Sequence, residues 1–462
     1  MATDPPRPDD EDNTPDESES GPVNPLEQFM GALGATTPGG PPGAGGPGGL
    51  DLAALFGQMQ QWLAPHDGAV NWNLAGQTAR QVVAQRADPS PGANQASAVR
   101  DAVRLADLWL DSATDMPSGV AVIAAWSRAD WVEQTRPVWA AVVEPVAEHV
   151  VAAMGQAMSA EVKQMAGPLV GLLGQAGGAM FGHQLGQALG ALAGEVLSGS
   201  DVGLPLAPAG TTAILPANVS AFGEGLGQEP RDVLLYVALR ECAHQRLFVH
   251  VSWLRAHLLG AVDAYARGTR LDLSAIEETV RGIDPTDPAA LQAALSEGMF
   301  EPRTTPEQEA ALARLETLLA LVEGWVDEVV AQATADRMPS AAALREAVRR
   351  RRASGGPAEQ TFASLVGLEL RPRRLRDAAT LWSALRDREG PAARDRVWNH
   401  PDLLPSAADL DDPLGFAQGE RAEGAADTGP SPTSDADFDA ALRDLLDDPD
   451  NGPDGPPRAD PG

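Results

Sequence analysis

Cysteine is nearly absent from this chain. The single Cys242 among 462 residues cannot form an internal disulfide, which fits a reducing compartment. Basic side chains are scarce as well, 34 Lys and Arg against 65 Asp and Glu, for a formal net charge of −31. Phosphate neutralisation needs a basic surface, so this balance argues against nucleic-acid binding. The opening MATDPPRPDDEDNTPDESES has neither the basic start nor the apolar run of a secretory signal, and a cytoplasmic protein is expected. Charge is missing from 164–194 altogether. That stretch is long enough for a bilayer, but its four glutamines together with His183 and its lack of a flanking basic cluster favour a buried helix and no membrane.

The acids that are present concentrate at the ends. Residues 1–22 hold eight against one arginine, and 405–462 hold fifteen against three. With the Pro and Gly run that follows the first of these, such segments bury too little apolar surface to offset ordering entropy. Residues 1–49 and 416–462 are therefore expected to be disordered acidic tails around a domain over 50–415. Two short apolar islands, 25–33 and 437–446, are candidate transient helices within them.

The domain reads as mainly α. Apolar residues recur every three to four positions in 52–64, 71–85 and 96–113, with the breaker Asp88-Pro89-Ser90-Pro91-Gly92 between the last two. Trp126, Trp131 and Trp139 follow as expected core anchors. In the uncharged stretch, Gly174, Gly178, Gly182, Gly186, Gly190 and Gly194 repeat every four residues, a groove that admits the ridge of another helix. The helix over 231–259 is the expected partner. Between the two, TTAILPANV is the best place for a short strand or hairpin, read equally as an edge that holds substrate or as a structural crossover. Smaller helices are expected over 271–300, and Thr305-Pro306-Glu307 starts a long one.

The stretch 231–259 carries the most chemistry. Its Arg240-Glu241-Cys242-Ala243-His244 has the form of the zincin helix motif H-E-x-x-H, with arginine in place of the first histidine. In that motif two histidines one turn apart bind zinc and the glutamate polarises the metal-bound water. A guanidinium has only donors and stays protonated, so Arg240 closes one ligand position. His250 stands at the spacing of a third metzincin histidine, although Leu247 replaces the turning glycine of that pattern. An E-x-x-H pair is also half of a di-iron bundle site, but no second one stands on a comparable helix.

The run ALRECAHQRLFVHVSWLR, with GAMFGHQLGQALGALAGEVLSGSDVGLPL before it and LLALVEGWVDEVV after it, resembles the actinobacterial zincin-like metallopeptidase type 2 family, also called the zinc-dependent metalloprotease family, over residues 50–415. The resemblance implies a zincin-like helical, cytoplasmic protein of hydrolase class with zinc as cofactor. It makes Glu241 the catalytic base, with His244 and Glu323 as zinc ligands. With Arg240 at the first ligand position, zinc is not assured, and peptidase activity is expected to be weak or lost.

The alternative is a non-catalytic helical scaffold that binds a protein or peptide, in which Arg240 is expected to bridge Glu241, with Glu323 as a secondary candidate, by a fixed positive charge. Arg349–Arg352, Arg371, Arg373, Arg374 and Arg376 form the strongest basic cluster. It is read either as a site for an acidic partner, a phosphate or the chain's own acidic tail, or as pairing with acidic core surface.

Overall fold

The computed structural model describes residues 66, 68–157, 167–268, 305–354, 356 and 374–419. The tail 1–49, the islands 25–33 and 437–446, the helix expected over 52–64, the segment 271–300, and Arg371 and Arg373 all lie outside them.

Helix α1 (Trp72–Ala84) starts where the Asn71 side chain accepts from the Leu74 amide, and α2 (Ala93–Leu110) follows the proline breaker. Strand β1 (Val122–Ala125) precedes α3 (Arg128–Ala157), and α4 (Gly167–Ala193) carries the glycine repeat. After β2 (Thr211–Ile214) come a short α5 (Pro216–Gly223), α6 (Pro230–His250) and α7 (Leu254–Gly268). The long α8 (Pro306–Thr334), the arginine-rich α9 (Ala341–Ser354) and α10 (Leu375–Glu389) complete the core. Short helices α11 (Pro391–Arg396), α12 (Ala407–Asp411) and α13 (Pro413–Gln418) follow. The chain is therefore mainly α; among the described residues there is one small sheet, and no helix is long and apolar enough to cross a membrane.

The glycine ridge meets α1 and not α6. A Cβ on Gly182 would stand 2.6 Å from the Asn71 carbonyl oxygen, one on Gly186 2.4 Å from that of Ala75, and one on Gly190 2.7 Å from that of Ala79. Both helices advance by four residues per contact, so the ridges run in step. The four-residue repeat showed that a close helix was needed, but not which one. His183, on the same helix, lies 3.2 Å from Thr78 Oγ1 and 3.0 Å from Gln187 Nε2, as suits a hydrogen-bonded boundary histidine.

The strand expected within TTAILPANV is β2, which pairs in parallel with β1 from Val122↔Thr211 to Ala125↔Ile214. It is a crossover, not a hairpin, because its partner comes from before α3 and α4. Residues 216–219 belong instead to α5, opened by Pro216. β1 was missed: four residues are too few to show a period. The far side of β2 is also taken, since Gly199 N donates to Ala213 O and Leu215 N to Leu197 O, at 3.0 and 2.9 Å. All four β2 residues are buried, which leaves no edge there for a substrate backbone.

Trp131 and Trp139 are fully buried and meet edge to face; Trp126 is buried in the same core. The expected 231–259 helix ends at His250, where Val251 leaves helical geometry (φ −92°, ψ 85°), and α7 begins at Leu254. Helix α6 sits between α2, α5, α8 and β2. Every residue from Leu235 to Leu247 is buried.

Candidate functional site

Two helices bring the site together. Pro230 at the first turn of α6 supplies a fixed φ and lacks an amide hydrogen that would go unpaired there. Thr305 caps α8 by accepting from the Gln308 amide, and Glu307 and Glu309 complement the helix dipole in its first turn. The middles of these helices pack on each other, which places Glu323 opposite Arg240 and His244.

Glu323 is fully buried and is reached from three sides. Arg240 Nη2 donates to its Oε2 at 2.5 Å. His244 Nε2 lies 3.2 Å from its Oε1, and Arg352 Nη2, from α9, lies 3.6 Å from the same oxygen. Burial alone would raise this carboxyl's pKa, but Arg352, Arg240 and His244 hold it well below the usual carboxylate range. Burial likewise works against the Arg240 charge, and Glu323 more than restores it. His244 stacks on Phe248 at 5.8 Å, and its buried Nδ1 has no hydrogen-bond partner.

Glu241 points elsewhere. The Arg240 ion pair runs to Glu323 and not to the adjacent Glu241, whose carboxylate is taken by other donors. The Glu241 carboxylate accepts from Ser200 N at 3.1 Å, Ser200 Oγ at 3.2 Å and Gln245 Nε2 at 3.0 Å. It is fully buried beneath the 197–200 loop, where a Cβ on Gly199 would stand 3.4 Å from its Oε1. Burial raises its pKa, and His244 and these donors only partly offset that. A general base needs access to its water, and Glu241 faces packed protein.

His250 is not brought to this group. It is exposed at the end of α6, with Nε2 3.1 Å from the Ser118 carbonyl. Two residues of the site carried little sequence signal. Arg352 belonged to a basic cluster with no visible target. Arg246 is 1% exposed and donates to the carbonyls of Met116 and Asp107 and to the carboxylates of Asp107 and Asp111, tying α6 to α2. The described part of the basic cluster pairs within the fold: Arg349 with Asp327, Arg351 with Asp201, and Arg374 with Asp411.

The profile of the zincin-like metallopeptidase family matches residues 70–417. The chain belongs to this family. No curated protein matches it. Among solved structures, a crystal structure of "a putative hydrolase with a novel fold" from Chloroflexus aurantiacus aligns with a TM-score of 0.54 and 20% identity, covering 77% of this chain and 100% of that one. That likeness is one of fold.

Zincins as a family imply a zinc ion, and the residues at its place do not fit one. The first ligand position holds a donor-only guanidinium, 2.5 Å from the carboxylate that would be the third ligand. Arg352 adds a second positive charge. Among the described residues no three His, Cys, Asp or Glu gather as metal ligands, whereas a catalytic zinc takes three protein ligands and keeps a position open.

Proposed function

We propose that this zincin-like chain has exchanged metal for fixed guanidinium charge, and that it serves as a non-catalytic scaffold binding a protein or peptide. The observation that carries this reading is the 2.5 Å contact between Arg240 Nη2 and Glu323 Oε2. It fills the place where the family motif needs an open metal with a buried ion pair. The burial of Glu241 supports it, since peptide hydrolysis requires a water and a scissile carbonyl beside the base. The acidic balance of the chain, −31 in all, favours a partner with basic or neutral contacts over a nucleic acid.

The hydrolase reading is carried by the family match together with the retained Glu241, His244 and Glu323. Metal content of the untagged protein separates the two, with Arg240→His and His244→Ala measured beside wild type. The scaffold reading expects no zinc in wild type and zinc gained by Arg240→His, whose imidazole would restore the missing ligand. Near-stoichiometric zinc in wild type that disappears in His244→Ala would sink it and return the chain to the hydrolases.

A further inference from the structure

One turn along from the Glu323 cluster, the same three helices form a second arrangement that is open to solvent. Tyr236 precedes Arg240 by four residues on α6, and Asp327 follows Glu323 by four on α8. Beside Tyr236, between the C-terminal end of α8 and α9, lies a cavity of about 390 Å³, walled by Ala331, Thr334, Ala335, Ala341 and Ala342. Tyr236 lines it and is 1% exposed, and its hydroxyl has no hydrogen-bond partner. Burial, with a contribution from Asp327, pushes the phenol up to about 12 against the opposing pull of the arginines, so it is a neutral O–H donor at neutral pH.

Arg345 and Arg349 line the same cavity, their side chains 29% and 20% exposed. Both give Nε and Nη2 to the buried Asp327, which leaves the Nη1 of each for another acceptor. Two guanidiniums against one carboxylate leave one positive charge. The acid of the lining itself, Glu346, accepts from Arg350 Nε at 3.2 Å and lies 3.6 Å from Arg376.

We infer that this cavity binds a small aliphatic carboxylate, received by Arg345, Arg349 and the Tyr236 hydroxyl, with its apolar part against the alanine walls. Forked guanidiniums suit a planar carboxylate, and a mostly apolar cavity with a few convergent donors is the usual form of a small-molecule site. A free short-chain acid and the C-terminus of a peptide present this same chemistry, and the inference does not depend on the zinc question.

Calorimetry on the full chain with sodium butyrate, acetyl-Ala-Ala and acetyl-Ala-Ala-amide tests it. At least one of the two carboxylates binds and the amide does not; butyrate alone assigns a free acid, and the dipeptide acid assigns a peptide terminus. Tyr236→Phe, which deletes one donor, weakens binding about tenfold. Ala342→Leu fills the cavity from a solvent-exposed position that does not challenge folding, and it abolishes binding. No heat with either carboxylate, equal binding of the amide, or an affinity unchanged in both variants would overturn the inference.

Discussion

Arg240 and Glu323 meet at 2.5 Å across the interface of α6 and α8, with side chains 9% and 0% exposed. A buried pair of this kind is held by its completeness more than by its attraction, because either charge left alone keeps its desolvation cost. Glu323→Leu leaves both Arg240 and Arg352 without their shared carboxylate. A loss of about 3–5 kcal/mol is expected, read as a lower urea midpoint at unchanged slope. Adding Arg240→Met should cost less than the sum of the single changes, and strict additivity would show that the two side chains do not interact.

The two glutamates of the site respond to pH with opposite sign. The Glu323 pKa is depressed in the fold. Its contribution is therefore complete above the unfolded value, near 4.5, and is lost as pH falls through the lower folded value. The Glu241 pKa is raised, so its contribution is complete below the unfolded value and is lost as pH rises through the folded one. Urea midpoints between about pH 3 and pH 7 should show a shallower acid loss in Glu323→Gln than in wild type, and a shallower loss on the rising side in Glu241→Gln. Parallel pH profiles in all three proteins would mean that neither carboxyl is perturbed.

Much of this site was legible because its parts lie on regular helices. The periodicity of α6 and the start of α8 at Thr305-Pro306 follow from local rules, and the family pattern singled out Glu323. What local rules could not supply was pairing at a distance. Arg352 reaches Glu323 only because α9 folds back beside α8, and nothing in an arginine run says which residue faces which acid. The glycine repeat had the same limit, since a groove with a four-residue step accepts any helix whose ridge has that step. β1 gave no signal, because its four residues take their meaning from β2, which lies beyond two long helices.

Cys242 lies one turn from Leu239 on the same buried helix and is fully buried; its thiol is 3.8 Å from the Val103 carbonyl. Burial, with Asp107 and Glu241 adding to it, pushes the thiol well above its ordinary pKa, so thiolate is scarce at neutral pH. Native protein should resist iodoacetamide, and urea-unfolded protein should be modified at once. Rapid labelling of native protein would show that α6 opens far more readily than its packing implies.

The close approach of α4 to α1 gives two substitutions of opposite sign on a single helix. Replacing glycine by alanine within a helix gains about 1 kcal/mol of backbone propensity wherever the methyl finds room. At Gly177 a Cβ meets nothing within 4 Å among the described residues, so Gly177→Ala should raise the melting temperature. At Gly186 the same atom would stand 2.4 Å from the Ala75 carbonyl oxygen and 2.7 Å from Thr78 Cβ. Both belong to α1, and backbone cannot rotate away as a flexible side chain can. Gly186→Ala should therefore force the two helices apart and lower the melting temperature, since overpacking typically costs about 1–3 kcal/mol. Melting curves of the two variants against wild type check both signs together, and a stabilising Gly186→Ala would mean that α4 does not pack on α1 through its glycine ridge.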